Sequence, residues 1–498
     1  MIDTAALREK VLDLAIRGKL VPQDPTDEPA SVLLERIHEQ KLQMVREGKL
    51  KAKDVKDDTI IFKGDDNCYY EKFSDGSVKN IQDEIPFDLP ECWSWARGKN
   101  CFQEMKTRKP NGEEFVYIDI DAIDNKKNTI TNAKVLKVKD APSRACRYVE
   151  CGSVLFSLVR PYLKNIAFVE EKYASSIASS GFFVCTSTGV LYPRYSFYLM
   201  ISPYVVNGIN QFMKGDNSPS VSKSDIENWL YPIPPYNEQK QIVDCLNKTL
   251  AIIQNIHDTE NELQGEITSI KSKILELAIQ GKLVPQDEND EPASVLLERI
   301  RAERKAKLGK KYVESYIFKG DDNCYYENND GKVAIVNEFL PFDLPDGWAY
   351  VRLENVLNYE QPTEYIVEST DYRSEYKTPV LTAGKSFIIG YTNETVGIKS
   401  ELPVIIFDDF TTDSKFVNFP FKVKSSAMKI LTADKLSIDT KYAYYVMQTV
   451  ECDHETHKRY WISEYGRTII GLPPLNEQLK IVNQIEYLFS LLDNGKEP

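Results

Sequence analysis

One stretch of this chain is written twice. KVLDLAIRGKLVPQDPTDEPASVLLERI, beginning at Lys10, returns at Lys273 as KILELAIQGKLVPQDENDEPASVLLERI, with 23 of 28 positions identical at an offset of 263. A second block, PPYNEQKQIV from Pro234, returns as PPLNEQLKIV from Pro473 at an offset of 239. The chain is therefore two copies of one unit, each carrying a different insert. On these offsets Pro498 projects onto Thr259 and Met1 onto Gln264, so only positions 260 to 263 lack a terminal counterpart. The two chain ends together rebuild one copy of the central segment. The expected arrangement is pseudo-twofold and circular, with the cut falling inside a helix.

The central segment predicts that helix. Leu250, Ile253, Ile256, Leu263, Ile267, Ile270, Ile274 and Leu277 recur mostly three and four apart, interrupted by Glu260, which is coiled-coil spacing. Asn237 reads as its N-cap, Glu238 suits the positive end of the dipole, and Gly281 supplies a stop. The helix spans about 40 residues, or roughly 60 Å. Its twin combines residues 476–498 with residues 3–17. Two helices sharing an apolar seam are expected to pack antiparallel, the alternative being that each caps its own domain.

The expected fold class is mixed α/β, with two globular α/β domains separated by a long antiparallel helical (coiled-coil) pair. An N-terminal helical region covers 1–50, a linker 51–97 and the first insert domain 98–235. The central long helix and helical region cover 236–307, a second linker 308–348, the second insert domain 349–474 and a C-terminal helix 475–498. Short helices are expected at 30–47 and 293–307. The polar stretches 48–85 and 308–340 share the phrase IFKGDDNCYYE, at Ile61 and Ile317, and read as mobile excursions. PFDLP followed by a Trp, at Pro86/Trp93 and Pro341/Trp348, leads into each insert.

The inserts themselves predict strands at 115–121, 153–159, 165–170 and 181–186 with a helix at 195–213, then strands at 403–410, 415–424 and 428–431 with a helix at 439–450. They share placement but little residue-level similarity. Copied frames with divergent inserts suggest two recognition modules for two different targets.

At 498 residues the chain holds two to four domains. Hydrophobic content of 42% and a mean hydropathy of -0.39 fit a globular protein. No run of about 18 apolar residues occurs, so neither a membrane span nor a signal peptide is expected, and the cytoplasm is the expected location. Nine cysteines without a C-x-x-C pair fit reduced thiols. A net charge of -13 argues against nucleic acid globally. Divided by region it reads differently: residues 97–235 carry 18 basic and 13 acidic side chains, net +5, whereas 352–474 carry 14 and 17, net -3.

No reaction motif emerges. There is no GxxxxGK[ST] loop, no GxGxxG opening a helix and no HExxH. IPPY at Ile233 lacks the polar first residue of an amino-methyltransferase loop, and its copy reads LPPL. Cys452, His454 and His457 lack a fourth metal ligand, and Glu170, Glu171 and Lys172 lack the upstream partner of a nuclease pattern. A non-catalytic chain without cofactor or metal is expected.

Basic residues mixed with aromatics remain. In the first insert the DNA-binding candidates are Lys106, Arg108, Arg144, Arg147, Arg160, Tyr162, Lys164 and Lys214; in the second, Arg373, Lys385, Lys415, Lys422, Lys424 and Arg459. Each alone is ordinary surface. On two binding modules, cationic loops can touch phosphates while Arg reaches base edges.

LAIQGKLVPQDENDEPASVLLERI, PFDLPDGW and LPPLNEQLKIV, in that order around variable inserts, resemble the specificity subunit of type I restriction-modification systems. GSVLFSLVRPYLKNIAFV at Gly152 resembles a target-recognition segment of that family. The resemblance implies two target-recognition domains, each reading one half of a split, asymmetric DNA site, with helices fixing the unread spacer. It also implies partners: double-stranded DNA, methyltransferase subunits using S-adenosylmethionine on adenine, and restriction/translocase subunits using ATP and Mg. The cofactors then belong to those partners and none to this chain. A protein-protein adaptor with two divergent binding domains is the alternative, and a fused enzyme the third reading.

Overall fold

The computed structural model describes residues 2–309, 314–382, 386–452 and 459–494. The chain divides into two compact units, Met1–Glu260 and Asn261–Pro498. The division falls inside a single helix of 44 residues, Tyr236–Ile279.

In the first unit, Asp3 caps the helix Thr4–Ile16 by accepting from the Ala6 amide. Its Val11, Leu12, Ala15 and Ile16 are buried in one core with Ile242, Leu246 and Ile253 of the long helix. Fully burying each of the Val, Leu and Ile side chains among them is worth about 1.5–3 kcal/mol. The Ile2 amide donates to Glu260, and Gln23 reaches Glu238, so this segment runs opposite to the long helix. In the second unit, Leu475–Asn494 buries Ile481, Val482 and Ile485 with Ile274, Leu275 and Ala278. Lys271 meets Asp493 there and Gln286 meets Glu477. The expected apolar seam is not continuous: Ile253, Ile267 and Ile274 are buried, whereas Leu263 and Ile270 are exposed.

The repeated phrases form one clasp per unit. Glu238 accepts from the Trp93 indole at 2.9 Å and from Gln23 at 3.2 Å; Glu477 accepts from Trp348 at 3.1 Å and Gln286 at 3.2 Å. Burial pushes both carboxyl groups up in pKa, and the indole and amide donors offset it only in part. Gln239 accepts from the Tyr192 amide and donates to the Val190 and Pro234 carbonyls, and Gln478 does the same with Asp439, Ser437 and Pro473. Asn237 lies within the helix, not at its N-cap as expected; its amide donates to Asp27, as that of Asn476 does to Asp290. Gly18 and Gly281 adopt φ of +67° and +68°, and a Cβ at either would come within 2.4 Å of Pro90 or Pro345. The clasp thus explains why LVPQD, DEP, the Trp and NEQ were copied together.

The polar stretches expected to be mobile linkers contain ordered antiparallel meanders instead. One is Thr59–Lys63, Tyr69–Phe73 and Val78–Asn80; the other is Ser315–Lys319, Tyr325–Asn329 and Lys332–Ile335. Their inner faces set one ion pair, Glu71 to Arg97 at 2.8 Å or Glu327 to Arg352 at 2.7 Å, among apolar contacts of Ile61 and Tyr69 with Trp95, and of Ile317 and Tyr325 with Tyr350. That is why composition hid them.

Each insert is closed by a two-stranded pairing of its flanks: Ser94–Arg97 with Leu230–Ile233, and Ala349–Arg352 with Ile469–Leu472. The first holds a four-stranded sheet in the order Lys134–Lys137, Glu114–Ile118, Ile177–Ser179, Ala145–Tyr148. A three-stranded sheet, Ile166–Phe168, Val154–Ser157, Phe182–Cys185, accompanies it. The single helix expected at 195–213 is two, Pro193–Ile201 and Pro203–Asn210, because Pro203 ends the first and Ser202 caps the second. The second insert orders Leu357–Glu360, Met428–Ala433, Val404–Asp408, Ser414–Val417 in one sheet and Ile388–Thr392, Thr378–Leu381, Lys422–Val423 in another. The strand expected at 415–424 is therefore divided between two sheets, with Pro420 in the break.

Candidate nucleic-acid interface

In the first insert, backbone hydrogen bonds draw distant basic residues into one border. The Arg108 amide donates to Cys146 at 2.9 Å, and Thr107 bridges Arg147, so this loop extends the sheet beyond Ala145–Tyr148. The Ser180 amide donates to Arg144, Leu158 to Gly181 and Arg160 to Pro219, while Lys214 and Ser220 exchange both bonds. Arg108, Arg144, Arg160 and Lys214 are all exposed along this row.

Their present partners are weak competitors for a phosphate. Arg108 stacks 4.8 Å from the Tyr148 ring centroid. Arg144 pairs with Asp119, whose charge raises the guanidinium pKa, and Lys106 pairs with Glu150. The exposed Lys106–Glu150 pair contributes about 0–1 kcal/mol, whereas the Asp119 carboxylate is itself buried. Arg147 is only half-buried overall, but its Nε is enclosed and has no hydrogen-bond partner.

Arg160 sits at φ +48° immediately before Pro161, a costly left-handed conformation for a residue in that position. With Lys164 at φ +55° it brackets the turn Pro161–Leu163. Asn125 and Asn128 hold the turn by donating to the Leu163 and Lys164 carbonyls, and the Arg160 guanidinium donates to the Asn217 carbonyl. The surroundings thus impose the strain and lift Tyr162 into solvent, 46% exposed. Lys164 instead turns to Glu9 at 2.8 Å, on the helix Thr4–Ile16. On the opposite edge of the four-stranded sheet, Lys134 and Lys137 are exposed, with Lys134 paired to Asp121. Edge lysines of this kind block strand-to-strand association.

The second insert is different. Lys422 is only 3% exposed; its ammonium donates to the Val396 carbonyl and pairs with Glu394, each at 2.7 Å. It is a structural group and is withdrawn from the contact set. Sequence reasoning missed two companions: Lys399, paired with Glu360 at 2.7 Å, and Lys429, paired with Asp409 at 3.4 Å. Burial opposes the Lys399 charge, but Glu360 outweighs it and raises the pKa; Glu360 and Glu394 are correspondingly lowered against their own desolvation. Only pairing makes such charges tolerable inside a domain, and no sequence spacing announces it.

Arg373 pairs with Asp371 at 3.0 Å and is held through its amide to Tyr391. Lys424 is exposed, its amide bonded to Leu381 at the other end of the same sheet. Lys415 is half-exposed on Ser414–Val417, and Arg459 is exposed at the start of the turn Tyr460–Ser463. Lys385, His454, His457 and Lys458 lie outside the described residues. The row seen in the first insert thus has no counterpart among the described basic residues of the second. No helix among the described residues is long and apolar enough to cross a membrane.

Comparison with known proteins adds family information. Residues 101–265 match the family model of the type I restriction modification DNA specificity domain. The Escherichia coli type I restriction enzyme EcoR124I/EcoR124II specificity subunit is 50% identical over 143 residues, covering 28% of this chain and 35% of that one. The EcoAI specificity subunit, also from Escherichia coli, is 27% identical over 71% of this chain and 62% of its own. The chain therefore spans less than two thirds of these two relatives. The Escherichia coli EcoEI specificity subunit is 25% identical over 98% of this chain and 90% of its own. A chain solved in work on complex assembly and conformational transition of the type I R-M system matches at a TM-score of 0.51 and 21% identity. It covers 82% of this chain and 93% of that one, a likeness of fold.

Proposed function

We propose that the chain is a type I restriction enzyme specificity subunit, the family it resembles over most of its length, and that it is the non-catalytic DNA-reading subunit of such a complex. Each insert reads one half of a split, asymmetric site in double-stranded DNA, and the helices set the length of the unread spacer. The duplicated clasp carries this reading: one frame, held by the same hydrogen bonds in each unit, presents two unlike domains.

In the first domain Arg108, Arg144, Arg160 and Lys214 would meet the phosphates, with Lys106 and Arg147 beside them. Tyr162, on its fixed turn, would reach into the groove, and Lys164 would contribute once released from Glu9. Arg373, Lys385, Lys415, Lys424 and Arg459 are the contacts proposed for the second domain. Specificity requires base contacts beyond these positioning charges.

Adenine methylation would be performed by paired methyltransferase subunits with S-adenosylmethionine. Restriction would be performed by translocase subunits with ATP and Mg in the cytoplasm. The terminal helices packed antiparallel to each half of the long helix support the ruler. Extending it by one turn, about 5.4 Å, should add one or two base pairs at roughly 3.4 Å each to the spacer. Mapping methylated adenines in cells expressing the chain with its neighbouring methyltransferase tests the proposal. A split motif whose spacer grows with the helix supports it; a contiguous motif, or none, overturns it.

A further inference from the structure

The two meanders carry a feature that the DNA-reading role does not use. IFKGDDNCYYE is identical at all eleven positions in both copies. Several identities have a structural reason: Glu71 and Glu327 bind Arg97 and Arg352, and Asp66 and Asp322 accept from Tyr70 and Tyr326 across their turns. On the outer face, Phe62 and Phe318 have no such reason beyond stacking on those tyrosines. In the first unit the strand register places Ile60, Phe62, Tyr70, Lys72 and Val78 together on that face; in the second, Tyr316, Phe318, Tyr326, Asn328 and Val333.

Phe62 stacks on Tyr70 and Phe318 on Tyr326, both with centroids 5.9 Å apart. Ile60, Phe62 and Val78 are nevertheless 41, 41 and 53% exposed, and Phe318, Val333 and Ile335 are 36, 55 and 57% exposed. A cross-strand aromatic pair can stabilise a meander, but it does not require exposed valines at matched positions beside it. The turn at one end is acidic and exposed in each copy, with Asp65 and Asp66 in one and Asp321 and Asp322 in the other; Asp75 and Asp330 are exposed at the other end, the latter beside Lys332. That rim repels nucleic acid and complements a basic protein surface. Lys72 is the exception within the first face, and Asn328 stands in its place in the second.

We infer that the outer face of each meander docks a protein partner present in two copies, one per unit, through a patch with an apolar centre and a Lys/Arg rim. This rests on the specificity-subunit reading, in which the partner is the methyltransferase subunit. The recognition inserts were free to diverge because each meets its own DNA half-site, whereas both meanders meet the same protein. An aromatic at the centre of such a patch is where binding energy concentrates.

The test uses the full chain co-expressed with the neighbouring methyltransferase, its stoichiometry read by native mass spectrometry and its affinity by titration. Two methyltransferase copies are expected on the unmodified chain. Phe62→Glu or Phe318→Glu should weaken the uptake of one copy by about tenfold or more, and the double variant should weaken both. Phe62→Leu with Phe318→Leu should retain both, and circular dichroism should match throughout, since both side chains face solvent. Two tightly bound copies on the double glutamate variant would overturn the docking face and leave the specificity reading intact. No methyltransferase on the unmodified chain would overturn that reading as well.

Discussion

The two insert domains spend their positive charge in opposite ways. The first keeps Arg108, Arg144, Arg160 and Lys214 exposed along one border, tied by backbone bonds between segments distant in sequence. The second buries Lys399, Lys422 and Lys429 against Glu360, Glu394 and Asp409. Net charges of +5 and -3 therefore understate the contrast, because part of the second domain's basic content is internal. Counting lysines does not measure a binding surface. Burial and pairing decide which charges are available to a ligand.

The largest expected effect lies in the buried set. Lys429→Met leaves the Asp409 carboxylate buried without its cation and should cost the second unit about 3–5 kcal/mol in denaturant unfolding. Arg108→Ala, which removes a guanidinium stacked on the Tyr148 ring, should leave stability almost unchanged, so equal losses would erase the contrast. Next, Trp93→Phe and Trp348→Phe each remove the indole donor from a buried glutamate, at about 1–3 kcal/mol. Losses that match in the two units would support a common clasp, and a loss confined to one would break it.

On DNA, Arg108→Ala or Arg160→Ala should each lower the slope of log affinity against log salt by about one, while stability stays put. An unchanged slope removes that residue from the border. The smallest effect separates the two clasps. Lys480 pairs with Asp290 in the second, but Gln241 holds the matching position in the first, where Asp27 Oδ2 is enclosed without a partner. Gln241→Lys should stabilise the first unit and Lys480→Gln destabilise the second, each by well under about 1 kcal/mol because Lys480 is half-exposed. Thermal unfolding gives the signs.

Repetition makes the frame legible in the amino-acid sequence. The copied LVPQD, DEP and NEQ phrases mark residues that meet in space, and apolar spacing gives the long helix within a few residues. The meanders escape such reading because each buried face places a charged Glu71 or Glu327, paired with Arg97 or Arg352, among its apolar residues and so breaks the apolar alternation. Lys422 looks like a surface cation in sequence because a buried ion pair brings together residues 28 positions apart with no local signal. The first domain's border arises from backbone bonds among five segments, an arrangement that basic residues in sequence can suggest but not assemble.

Two unlike readers on one copied frame are tested most directly by exchanging residues 98–235 for the corresponding insert of a relative and mapping genome-wide adenine methylation with the neighbouring methyltransferase. One half of a split motif should change while the other half and the spacer stay fixed. A motif altered in both halves, or indifferent to the exchange, would contradict the assignment of one half-site to each insert.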